Sequence, residues 1–162
     1  MTILISTLAT VCFSFACGIF LTLSYIEKPV WPMMRDPMTS RISDDVARTI
    51  HATLNRLIRL LPPTMMITMG AGLVFLLLQA WQRGFAWVTL IVLAVLVVGL
   101  GYILSQLFSR IDAVKNYPAD GDISVVRDGL GKLAAIHHVG LLTAATIVVL
   151  QLALIFATAV AG

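Results

Sequence analysis

The chain has 162 residues, of which 59% are apolar and 12% charged, and its formal net charge is +3. Soluble domains average about 45–50% apolar and 25% charged, and the mean hydropathy here is +0.97. A conventional soluble enzyme, a disordered chain and a collagen or coiled-coil fibre are excluded, and a bilayer is the expected solvent.

Four uncharged stretches carry that reading: Ile3 to Ile26, Leu60 to Trp81, Gly84 to Ser109 and Leu133 to Gly162. They predict spans over about 3–26, 60–81, 85–108 and 133–160, with loops over about 27–59 and 110–132, in a single membrane domain, 1–162. About 20 apolar residues in helix cross roughly 30 Å of hydrocarbon, and lipid offers no partner to an unpaired backbone. The expected fold is therefore all-α, an integral membrane bundle of four transmembrane helices.

In chain order, the first span has no basic start and no fitting small-x-small cleavage site, so it is expected to stay as an anchor. Cys12 and Cys17, the only cysteines, lie about 140° apart on that helix and read as packing residues. Pro29, Pro32 and Pro37 predict an extended loop, with Trp31, Met33, Met34 and Met38 at headgroup level. Ser43 or Asp44 then caps a long second helix, whose start Asp44 and Asp45 favour. Arg48, His51, Asn55 and Arg59 share its polar face, and Pro62-Pro63 kinks or breaks it at the membrane. Such a break either frames a cavity or lets an amphipathic segment lie on the surface. A tight Gln82-Arg83-Gly84 turn leads to the third span. Tyr117-Pro118-Ala119-Asp120-Gly121-Asp122 has turn chemistry, is too short for a calcium loop, and places the last helix start near Asp122 to Ser124.

Ten of the 11 basic residues fall in the two long loops and their flanks, and only Arg83 falls on the other side. That asymmetry predicts cytoplasmic loops and periplasmic termini in a bacterial inner membrane. Expected partners are membrane lipid and either a second copy or a subunit of a membrane complex, with no nucleic acid.

Three sets of candidate site residues emerge. His137 and His138, on the last helix, and His51 can ligate iron or copper, or equally serve as interhelical hydrogen-bonding groups. Met65, Met66 and Met69 suit Cu(I) by their thioethers, or simply pack. Arg48, Asn55, Arg56 and Arg59, with Gln106, can hold an acidic ligand or a headgroup, or snorkel. No nucleophilic triad, phosphate loop or paired carboxylates occur.

The run Asn55-Arg56-Leu57-Ile58-Arg59-Leu60-Leu61-Pro62-Pro63-Thr64-Met65-Met66-Ile67-Thr68-Met69-Gly70, followed by Gly72, resembles the second helix of HemJ-type protoporphyrinogen oxidases and CopD-like copper-resistance domains. That likeness implies haem b, for which the available histidines are His137, His138 and His51. A second resemblance, through Asn55 before Pro62 and through His137, is to anthrone-oxygenase-like four-helix membrane proteins. The expectation is a redox protein holding haem b or a small aromatic ligand in a cytoplasm-side pocket. The alternative is a non-enzymatic membrane module, either a channel-like oligomer, a lipid-binding protein or an accessory subunit.

Overall fold

The computed structural model describes residues 2–161 and contains no strand among them. Its α-helices are α1 (Thr2–Glu27), α2 (Asp44–Leu57), α3 (Leu61–Gln82), α4 (Trp87–Lys115) and α5 (Ile123–Ala161), with a 3-10 helix over Lys28–Met34. Ile3–Met34, Leu61–Gln82, Trp87–Asp112 and Ile123–Val160 are long and apolar enough to cross a membrane. The protein is thus a multi-pass membrane protein built as a bundle of four long helices, with α2 as a shorter fifth.

α1 packs along both α3 and α5, and α5 also packs along α4, whereas α3 and α4 meet more loosely. One end of the bundle, the basic end, carries the 3-10 helix, α2, the α4–α5 connection and ten of the 11 basic side chains. The far end carries Arg83 alone. Two apolar cores follow from this division. Leu23, Val30, Met33, Leu54, Leu130 and Leu133 form the one at the basic end, while Phe13, Leu76, Val92, Leu96 and Ile147 fill the bundle beyond it.

The proline-rich stretch expected to be extended is helical over Lys28–Met34. Pro29 falls in the first turn, where no backbone donor is needed, and proline's fixed φ suits a tight 3-10 turn. Pro32 O closes the element by accepting from Arg35 N and Asp36 N, both at 3.2 Å. Met33, expected at headgroup level, is consequently in the core, and Trp31 is half-buried, edge-on to His138 at 4.9 Å between ring centroids. Gly131 of α5 permits this close approach, since a Cβ there would lie 2.5 Å from Met33 O. Gly131→Ala is expected to cost about 2 kcal/mol through overpacking against backbone, read as a lower midpoint of thermal unfolding in detergent.

The expected second helix is two helices. In an unbroken one, Pro62 and Pro63 would have to donate to the carbonyls four residues earlier, which they cannot do. The chain turns through residues 58–60 instead, and both prolines sit in the first turn of α3. Ser43 caps α2 as expected, accepting from Val46 N. α4 runs past the expected end at about 108 to Lys115, and α5 starts at Ile123, as the turn chemistry predicts, so residues 116–122 connect them. Asp122 starts α5. Its Oδ1 accepts from the Ser124 hydroxyl and amide, each at 2.8 Å, and these bonds hold its carboxyl below the usual range.

At the far end α3 stops in a Schellman motif. Phe85 N donates to Ala80 O at 2.8 Å and Gly84 N to Trp81 O at 3.2 Å, with Gly84 in the left-handed region at φ 60°.

Candidate functional site

The break between α2 and α3 roofs a cavity of about 210 Å³ at the basic end. Leu54, Leu57 and Ile58 come from α2 and the turn after it, and Leu61, Pro62, Met65, Met66, Met69 and Gly70 from α3. Leu100, Ile103, Leu104, Leu107 and Ile111 of α4 face them across the loose α3–α4 junction. Phe20, Leu23, Leu133 and Ile136 close the back, and among these wall residues His137 is the single polar side chain.

His137 is oriented by a buried acid. Its Nδ1 lies 2.7 Å from Oε1 of Glu27, which is completely buried at the end of α1. With Nδ1 so engaged, Nε2 is the ring nitrogen left for a ligand in the cavity. Glu27 keeps spare capacity, because its Oε2 has no partner, and neither does the buried Oγ of Ser24 one turn earlier. An imidazole held by a carboxylate in an apolar cavity can accept a proton from, or hydrogen-bond to, a single polar group on an otherwise apolar ligand. The Glu27 contact fixes the ring plane.

The sequence candidates separate sharply in space. Met65, Met66, Met69 and His137 share the cavity wall. His138 points elsewhere, its Nδ1 2.8 Å from Ala134 O. Asn55 Nδ2 donates to Val114 O and Lys115 O at 3.2 Å each and so closes the carboxyl end of α4. Arg48 ties down the next loop, with Nη1 donating to Ala119 O and, at 3.0 Å, to Gly121 O. Gln106 accepts from Arg110 Nη2 at 3.0 Å, while Arg56 and Arg59 are exposed.

His51 is 1% exposed, yet neither ring nitrogen has a partner, and it lies outside the cavity wall. Burial holds its imidazole below the ordinary value of 6.5. As the pH falls through that value, the unfolded chain binds a proton that the folded protein refuses, so stability declines until the folded imidazole also protonates. His51→Leu is expected to stabilise by about 1 kcal/mol at neutral pH by removing two orphaned nitrogens. It should also flatten the loss of stability expected in thermal unfolding as the pH falls through 6.5.

Two buried charged positions are not legible in the sequence. By sequence Glu27 opens a loop; in the structure it closes α1, where a carboxylate opposes the helix dipole and signals a specific partner. Arg127, counted only as an orienting charge, is 6% exposed and holds residues 37–44 in place, which fixes the approach to α2. No protein-family model, curated protein or solved structure matches the chain, so the chemistry of the site rests on its own residues.

Proposed function

We propose that the protein binds a small aromatic molecule bearing one hydroxyl or carbonyl group in the cavity at the basic end. The observation that carries this is His137, held by Glu27 at 2.7 Å, as the one polar group in an otherwise apolar wall. Aromatic rings gain from the leucine and methionine surface, including thioether contacts from Met65 and Met69. His137 supplies direction and takes or shares the ligand's proton. The resemblance of Asn55, Pro62 and His137 to anthrone-oxygenase-like proteins supports the same reading. With the basic end cytoplasmic, the site lies within the inner leaflet of a bacterial inner membrane.

Haem b fits these residues poorly. One imidazole faces the cavity, His51 lies outside its wall, and about 210 Å³ is below the roughly 300–1,000 Å³ of pockets that hold even drug-sized ligands. A second reading, lipid binding, is favoured by Met66, which lines the cavity and is 63% exposed on a helix apolar enough to cross a membrane.

Solvent extraction of the purified protein, followed by mass spectrometry, separates these readings. An aromatic compound at near-stoichiometric yield, missing from His137→Ala, supports the proposal. Acyl lipid alone, indifferent to that substitution, supports the second reading. A Soret band that shifts on dithionite reduction would sink both in favour of haem.

A further inference from the structure

At the far end three side chains are fully buried with no partner for their polar atoms: Gln79 of α3, Thr89 of α4 and Gln151 of α5. Helix register sets them near one level. Each lies one turn toward the far end from a residue of the same apolar core, Gln79 from Leu76, Thr89 from Val92 and Gln151 from Ile147. A close helix contact checks this register independently. Gly99 packs on Thr143, and a Cβ at Gly99 would lie 2.5 Å from its side chain. From that contact Thr89 is ten residues back along α4 and Gln151 eight residues on along α5, a mismatch of about 3 Å.

Arg83 covers this layer. It lies one turn beyond Gln79 on the same face of its helix. Its Nη2 donates to Thr158 Oγ1 at 3.0 Å, and Thr158 is seven residues beyond Gln151 on α5, again on the same face. The Arg83 Nε is buried and unpartnered. All eight acidic side chains of the chain lie at the basic end, so no carboxylate side chain neutralises this guanidinium. Water can satisfy an N–H but not a charge, and an uncompensated cation at the edge of hydrocarbon is costly. The groups beneath it add donors: two primary amides and a hydroxyl.

We propose that Arg83, Gln79, Thr89 and Gln151 form a site for one small anion, either a free halide-sized ion or the phosphate oxygen of a lipid headgroup. Charge-assisted bonds from Arg83 would provide the attraction, and the amides and hydroxyl would replace the hydration shell. Gln79 lies ten residues, about 15 Å, along α3 from Met69 of the cavity wall, so the site stands independently of that cavity's ligand.

The test uses the whole chain, stripped of lipid in maltoside detergent, with chloride exchanged for gluconate at constant ionic strength. A free-anion site predicts that chloride raises the unfolding midpoint by about 3 °C, an effect lost in Arg83→Gln and in Gln151→Leu. A headgroup site predicts no chloride effect, but one phospholipid retained in native mass spectrometry and lost in Arg83→Gln. A midpoint indifferent to chloride with no Arg83-dependent lipid, or variants that respond as the wild type does, overturns the proposal and leaves buried water as the occupant.

Discussion

His137→Ala is expected to destabilise the protein by about 3 kcal/mol and to abolish retention of the cavity's ligand. The substitution strands Glu27, a completely buried acid whose single bond is the one to His137 Nδ1 and whose Oε2 already lacks a partner. Removing one member of such a pair costs more than the pair itself is worth, because the survivor stays desolvated. Glu27→Gln separates structure from function. Its amide oxygen can still accept from Nδ1, so stability should stay within about 1 kcal/mol of wild type. Ligand affinity should nevertheless fall about tenfold, as when an orienting group outside a binding shell is weakened. Thermal unfolding and ligand titration on both variants check this. If His137→Ala unfolds like the wild type, the buried pair is not what organises the site.

Arg127→Met should cost about 3 kcal/mol and release the segment before α2 to protease. The guanidinium donates to Ile42 O at 2.6 Å, Thr39 O at 2.9 Å and Pro37 O at 3.4 Å, and grips Asp44 Oδ1 at 2.6 and 3.1 Å. The Asp44 side chain is 57% exposed, so solvent screens that ion pair, and Asp44→Asn should cost under about 1 kcal/mol. The carbonyl bonds carry the larger effect, because losing them leaves backbone acceptors around residues 37–42 without a donor. Lysine, a single ammonium, cannot reproduce the fork, so Arg127→Lys should fall between wild type and methionine. Limited trypsin digestion reads the result directly: new cleavage at Arg35 and Arg41 in Arg127→Met, and none in Asp44→Asn. Equal cleavage in the two would reassign the anchoring role to the ion pair.

The contrast between these two sites and the sequence candidates shows where sequence reasoning reaches. The four spans were legible because lipid enforces length and charge-free composition, and the α2 cap at Ser43 because its chemistry is local. Proline at positions 29 and 32 misled, since the rule excludes it from α-helix interiors but not from a short 3-10 turn. Partnership was the illegible part. Asn55 and Arg48 have the composition of a ligand cluster, yet their donors are spent on carbonyls some 60 to 70 positions away in sequence. Glu27 meets His137 across 110 positions. Only the packing of α1 against α5 brings them together, and no local pattern encodes it.

The loose seam between α3 and α4 has a consequence for access to the site. Met66, 63% exposed, and Leu104, 40% exposed, line the cavity on either side of that seam, between two helices apolar and long enough to cross a membrane. A ligand arriving by that route is drawn from its concentration in the membrane, not from its aqueous concentration. For a compound that partitions into lipid about 1,000-fold, the aqueous dissociation constant improves by the same factor, worth about 4 kcal/mol without any further contact to the protein. On the proposed function, selection among ligands would have two stages: the bilayer admits by hydrophobicity, and His137 sorts what arrives by its one polar group.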